Sequence, residues 1–348
     1  MARRKRALAV ALALGLLLLA GLAAGARAYW EETRVVEIQP RHEAVTAIAP
    51  FGPDAFVLGG ALGTLEAMRI DEPTELWTVE LERGISGLAV ADGLVAAALG
   101  DGSLRVVRDG FVVASIAAIG TPERPLALAL LPEKETGGVR ILWADQQPPW
   151  SELHVEELGR AKEAVVPAKE ESVPLGDSVR DVAVLEDRVL VLGEEALFSL
   201  DRASLQAERI PGSHGGESLA AAPRGAAVWS SDGRVVLWRP GAAPVSVLDR
   251  APDGTKALDA SGTFVAFGRG VLLWGGGRVA WYDEGAPFTL LDMERGVCWR
   301  LDNKKTLAAT FVGDRVVVGY EDGTVQILPL PRAHFERSWT RVNPEKGR

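Results

Sequence analysis

Cysteine is almost missing from this chain: Cys298 stands alone among 348 residues, and aromatics make up only 6%. A single thiol excludes an intrachain disulfide and any cysteine-rich zinc or iron–sulfur centre. The four histidines, His42, His154, His214 and His334, are too widely scattered to form a spaced metal-ligand motif. A basic surplus is missing too. The formal charge of −9 excludes general affinity for nucleic acid, because binding phosphates needs a basic face. No calcium loop of the Asp-x-Asp-x-Asp-Gly type occurs. Gly275-Gly276-Gly277 lacks the Lys-Ser/Thr pair and helix that a phosphate loop requires, so it reads as a hairpin turn. Long helical periodicity is absent beyond residue 30. What is present is a 47% hydrophobic, 24% charged chain with 38 Gly and 20 Pro, apolar enough for a packed core. Its length allows two domains or one large β unit.

The N-terminus sets the compartment. Arg3, Arg4, Lys5 and Arg6 precede a small or apolar run from Ala7 to Ala26, about the length a helix needs to cross a bilayer. The cationic flank stays cytoplasmic, so the rest of the chain is expected outside the cytoplasm, in a bacterial-type periplasm or beyond the cell. Two readings stand side by side. The run is an uncleaved inner-membrane anchor through residues 7–26, or a signal peptide removed after Ala28, where Ala26-Arg27-Ala28 fits an A-x-A site. Residues 1–28 carry five cations and no acid, so the exported body is −14 against −9 for the whole chain. Such a body is soluble and avoids anionic headgroups.

Past residue 30, short Val-, Leu-, Ala- and Phe-rich runs alternate with Gly- and Asp-containing turns, the signature of strands and hairpins. One turn recurs as a phase marker at Gly63-Thr64, Gly102-Ser103, Glu195-Ala196, Gly233-Arg234, Gly277-Arg278 and Gly323-Thr324, with a longer version at Trp150-Ser151. The spacing, roughly 38 to 48 residues, is that of a four-stranded propeller blade. The pattern predicts an all-β, seven-bladed β-propeller over residues 29–331, between the leader at 1–28 and a basic aromatic tail at 332–348.

Two units show the plan. Ile85–Val90 is expected innermost, followed by Leu94–Leu99, Ser103–Val107 and the outer Phe111–Ala117. The last unit reads Leu307–Val312, Val316–Tyr320 and Thr324–Leu328, then stops at Pro329 and Pro331, which cannot donate to a ladder. The missing fourth strand is expected from the other end of the chain. Arg34–Ile38 alternates and precedes the first inner strand, Val45–Ala49, so it can zip onto the last sheet and close the ring.

Ser231-Asp232-Gly233-Arg234-Val235-Val236-Leu237-Trp238 and Glu321-Asp322-Gly323-Thr324-Val325-Gln326-Ile327-Leu328 resemble the turn and third strand of WD-repeat propellers. Arg41-His42 and Ser213-His214 sit where that family has Gly-His. Asp71, Asp201 and Asp283 take the place of its terminal Asp, while Trp238 is followed by Arg239. The resemblance covers roughly residues 33–331 and is degenerate. Quinoprotein-like propellers share the period. The resemblance implies that His214, Ser230, Asp232 and Trp238 form a structural hydrogen-bond relay rather than a catalytic set. No oxyanion site or exposed nucleophile accompanies them.

No residue is assigned to catalysis, to a cofactor or to a metal. Glu156-Glu157, Glu170-Glu171 and Glu194-Glu195 are adjacent pairs whose members point to opposite strand faces, and they read as solvated charge. Trp77, Trp143, Trp229, Trp238, Trp274 and Trp281 read as packing between sheets. Three segments break the repeat. Asp145–Trp150 is a stiff tip offering Gln147 and Trp150 as partner contacts. Gly159–Ser178, rich in Lys, Glu and Pro, reads as a surface loop between the third and fourth units. The tail, net +3, offers Phe335 and Trp339 as partner contacts, which on a helix share one face; it packs on the acidic body, binds an acidic partner or stays disordered, with self-packing the expectation. The function expected is that of a membrane-held protein–protein interaction scaffold, not an enzyme. The alternative is a small-molecule-binding or catalytic propeller, quinoprotein- or lactonase-like, with a ligand in the central channel.

Overall fold

In the computed structural model, residues 19–27, 34–38, 43–117, 127–132, 138–144, 152–160, 165–185, 188–216, 218–222, 226–231, 234–248, 271–275, 278–282, 289–292, 297–300, 306–313, 315–329 and 340–342 are described. Residues 19–27 are an exposed helix. Among the described residues no helix is long and apolar enough to cross a membrane. Most of the apolar run lies outside them.

Everything else regular is antiparallel β. Strand β1 (Val36–Ile38) comes first in the chain. The first sheet follows as β2 (Val45–Pro50), β3 (Ala55–Gly60), β4 (Thr64–Arg69) and β5 (Glu75–Glu80). The second is β6 (Ile85–Ala91), β7 (Leu94–Leu99), β8 (Leu104–Arg108) and β9 (Phe111–Ile116). The third holds β10 (Leu128–Pro132), β11 (Val139–Ala144), β12 (Glu152–Arg160) and β13 (Val165–Pro174). The fourth holds β14 (Val179–Val184), β15 (Arg188–Gly193), β16 (Leu197–Asp201) and β17 (Ala207–Arg209). The fifth is β18 (Ser218–Ala222), β19 (Ala226–Ser231), β20 (Arg234–Trp238) and β21 (Val245–Leu248). The sixth is β22 (Val271–Gly275), β23 (Arg278–Tyr282), β24 (Thr289–Asp292) and β25 (Val297–Arg300), and the last β26 (Thr306–Val312), β27 (Arg315–Tyr320) and β28 (Val325–Pro329). Strand β29 (Thr340–Val342) ends the described chain.

Burial explains the sequence pattern. Every position of β3 and β7 is buried, as is all of β15 and β27 after their first arginine. These second strands are covered on both faces by neighbouring sheets, so they read as unbroken apolar runs. The outer β17, Ala-Glu-Arg, is exposed throughout. Apolar clusters lie between sheets: Leu65 and Ala67 meet Ile85 and Val95, and Leu192 and Leu197 meet Trp229 and Trp238. The first strands adjoin in the order β2, β6, β10, β14, β18, β22, β26 and back to β2.

The last sheet is completed as the strand shortage required. β1 pairs antiparallel with β28, with Val36 opposite Ile327 and Ile38 opposite Val325. Val45, Phe56 and Leu58 of the first sheet pack against Val317, Val325 and Ile327 of the last.

The phase marker also has a physical cause. Gly63 and Gly323 turn with φ of +112° and +80°, open to glycine at little cost. A Cβ on Gly63 would come 2.4 Å from the Leu81 carbonyl oxygen, in the segment leading to the second sheet. A Cβ on Gly323 would come 2.6 Å from the Glu43 carbonyl oxygen, in the segment leading to the first. The turn of one sheet therefore presses on the entry to the next, and the last sheet does so to the first.

Three expectations are corrected. Gly159–Ser178 is not a loop in its described part, because β12 and β13 form a long hairpin from Glu152 opposite Pro174 to Arg160 opposite Val165. Lys169, Glu170 and Glu171 sit on an outer strand, where charge is compatible with pairing. In the sixth sheet the marker Gly277-Arg278 falls between its first and second strands, whereas Gly63-Thr64 and Gly323-Thr324 fall between second and third strands of complete units. Finally, Glu156 is buried rather than solvated, since the middle of β12 is covered by neighbouring side chains. The marker at Trp150-Ser151 lies outside the described residues.

Candidate interaction surface

The entries to the first, second and fourth sheets carry a repeated polar arrangement that the sequence motifs do not display. The residue before the first strand accepts a backbone hydrogen bond from the residue after the second: Ala61 N–H donates to Ala44, Gly100 to Gly84 and Glu194 to Ser178, at 2.8–2.9 Å. One residue into the first strand the register slips, at Thr46, Ser86, Arg180 and Leu307. A bulge of this kind re-aims a side chain. The Thr46 hydroxyl consequently reaches the Ile85 carbonyl oxygen of the next sheet at 2.5 Å.

Acids brace the turns at the same end. Asp177 accepts from the amides of Glu194 (3.0 Å), Glu195 (3.0 Å) and Ala196 (3.1 Å), and so holds the β15–β16 turn. Glu43, the same two residues ahead of its strand, accepts from Leu62 N–H in the β3–β4 turn. Both need a glycine opposite: a Cβ on Gly193 or Gly60 would collide with these carboxylates. The signal in the sequence was an acid two residues before an inner strand. The residue that the sequence pattern points to at that end is a histidine, His42, rather than an acid. Beside Glu43 and the buried Glu66 lies a shallow open recess of about 20 Å³, room for a water rather than a small molecule.

Asp181 stands in the seam between the fourth and fifth sheets. Its carboxylate accepts from its neighbour Val182 (2.8 Å) and, across the seam, from Leu219 N–H (2.8 Å). Desolvation pushes its pKa up to about 6, against the pull of the amides of Leu219 and Val182 and the Ser218 hydroxyl. Arg180 next to it pairs with Glu194 at 3.1 Å. This cluster ties sheets together; among the described residues no three of His, Cys, Asp and Glu converge as a metal-holding group.

Of the residues named from sequence, His214 is exposed and Trp238 is buried against the fourth sheet. Asp232 and the Ser230 side chain lie outside the described residues, as do Gln147, Trp150, Phe335, Trp339, His42, Asp283 and His334. His154 stacks on Trp143 at 5.3 Å between ring centroids. The tail does return to the body: β29 adds to the outer edge of β25, with Val342 opposite Cys298. Asp201 closes β16, its carboxylate accepting from Ser204 N–H at 2.8 Å.

Outer edges differ in what they offer. Phe111 and Val112, at the start of β9, are 74% and 44% exposed, and Leu62 on the β3–β4 turn is 75% exposed. β9 has no charged residue, and among the described residues no strand pairs with its outer edge.

No family model matches this chain and no curated protein matches it in sequence. Solved structures match it in shape. U3-55K aligns at TM-score 0.58 and 11% identity, over 85% of this chain and 98% of that one. The computationally designed Ika8 protein aligns at TM-score 0.56 and 16% identity, over 86% of this chain and all of that one. BamB from Moraxella catarrhalis aligns at TM-score 0.51 and 15% identity, over 83% and 86%. With WD-repeat and BamB-type rings among its structural neighbours, the chain has a β-propeller fold.

Proposed function

We propose that this chain is a seven-bladed propeller held outside the cytoplasm by its N-terminal segment, and that it serves without catalysis as a scaffold for protein partners. The observation that carries the reading is the contrast between interior and rim. The described polar groups at the sheet entries are spent on bracing turns and seams, while apolar side chains are left exposed on turns and outer edges. A rigid ring presents many such positions at low ordering cost. The cyclic adjacency of the first strands and the β1–β28 pairing support seven blades. The Arg3–Arg6 cluster and the apolar run support the anchor and its orientation.

The test is affinity capture of the intact chain from native membranes, with mass spectrometry of the eluate and of the chain's own N-terminus. A stoichiometric protein partner and an intact leader are expected. A mass beginning at Tyr29 would replace the anchor by cleavage after Ala28. A stoichiometric small molecule with no protein partner would overturn the scaffold.

A further inference from the structure

Outer strands of stacked sheets are open to pairing with foreign chains, and proteins blunt them with charge, shortness or a covering strand. Nearly every outer edge here is blunted. β28 is covered by β1 and β25 by β29. β17 is only three residues long and exposed throughout, and β21 is only four residues long. β5 begins and ends in glutamate, and β13 carries Lys169, Glu170 and Glu171. β9 has none of these three protections: its six residues, Phe-Val-Val-Ala-Ser-Ile, are free of charge and proline, and its ladder with β8 is broken only by a bulge at Val113. It is held firmly from within, since Ala114 and Ile116 are buried against the third sheet and the β8–β9 turn rests on Trp77 of the first.

We propose that the outer edge of β9 is a strand-addition site for an extended segment of another protein, apolar in its core and flanked by Lys or Arg. The inference rests on the scaffold reading and gives it a place and a binding mode. Two observations select a basic occupant. The flanking outer strands and turn present Glu75, Asp109 and Glu171 at the surface, on a body of charge −14. The molecule also shows the chemistry on itself: β29, the strand added to β25, comes from a tail of net charge +3 and carries Arg341. A second copy is disfavoured as occupant, because self-pairing would bring two acidic bodies together.

The test uses the full chain and a synthetic peptide with an alternating Val-Thr core between Lys pairs, with a Glu-flanked twin as control. The Lys-flanked peptide should bind about tenfold tighter, and its affinity should fall steeply with salt. Amide exchange should slow at Phe111–Ile116. Phe111→Lys/Val112→Lys should weaken binding about tenfold, whereas Leu62→Lys, on an exposed turn elsewhere, should not. Phe111→Glu should strengthen it, a gain that misfolding cannot imitate. Equal affinity for the two peptides, protection elsewhere, or no binding would overturn the proposal. So would a dimer that the double lysine variant dissolves. A native partner that the double variant still captures would overturn the β9 site and leave the scaffold standing. Peptide binding at β9 without any native partner would support the site and count against the scaffold.

Discussion

The seam between the last and first sheets and the seam between the fourth and fifth do the same job with different chemistry. The first is apolar: Val45 and Phe56 face Val317 and Val325, and Gly319 leaves room for Val45, whose Cγ1 stands 2.5 Å from where a Cβ would be. Its polar element lies on the strands, where Tyr320 donates to Gln326 (2.8 Å) and Gln326 to Glu37 of β1 (3.1 Å). The second seam combines an apolar cluster around Trp229 with the Asp181 carboxylate bridging to Leu219. The lesson is that closure, which has no covalent link to rely on, is packed with apolar side chains, whereas an internal seam between consecutive sheets carries a desolvated carboxylate.

Removing residues 29–40 should break this contrast most severely. It deletes β1, exposes the β28 edge, and is expected to cost on the order of 4 kcal/mol and cause aggregation, read by thermal unfolding and sedimentation. Next comes Gly319→Val, which forces a side chain into Val45 and should cost about 3 kcal/mol in denaturant unfolding.

Asp181→Asn sharpens the contrast with the opposite sign. The native carboxyl titrates near 6 rather than 3.8, so the folded state holds its proton more tightly than the unfolded one. Asp181 thus favours folding below about pH 4, loses that advantage as pH rises from about 4 to 6, and burdens the native state above 6. The amide keeps an acceptor for Leu219 without charge. It should raise stability by about 2 kcal/mol at pH 7.5 and have little effect at pH 4, as chemical unfolding at the two pH values would reveal. The smallest effect is expected of Tyr320→Phe, about 1 kcal/mol at pH 7, from the lost bond to Gln326.

The strand plan was legible because stacked sheets impose a simple code. Leu94–Leu99 is apolar throughout since both faces are covered, and Pro329 and Pro331 announced that the last sheet would need a strand from elsewhere. The β1–β28 pairing followed from that shortage, while its register is seen only in the structure. Gly159–Ser178 misled because Lys169, Glu170 and Glu171 look like a loop, while an outer strand tolerates the same charges with its ladder intact. Asp177 and Glu43 were illegible as turn braces. Their role depends on a glycine opposite, sixteen or so residues away, and on backbone amides that have no letter in the sequence. The bulges at Thr46, Ser86 and Arg180 likewise leave no residue signature, because any side chain that suits the seam can occupy them.

Closure by the N-terminal strand is tested most directly by a cysteine pair at Val36 and Ile327, which face each other across β1 and β28, in a Cys298→Ser background. Mild oxidation should produce a single intramolecular disulfide in monomeric protein, seen as a reduction-sensitive gel shift, with a raised melting temperature. Free thiols after oxidation, or disulfide-linked dimers in place of monomers, would contradict it.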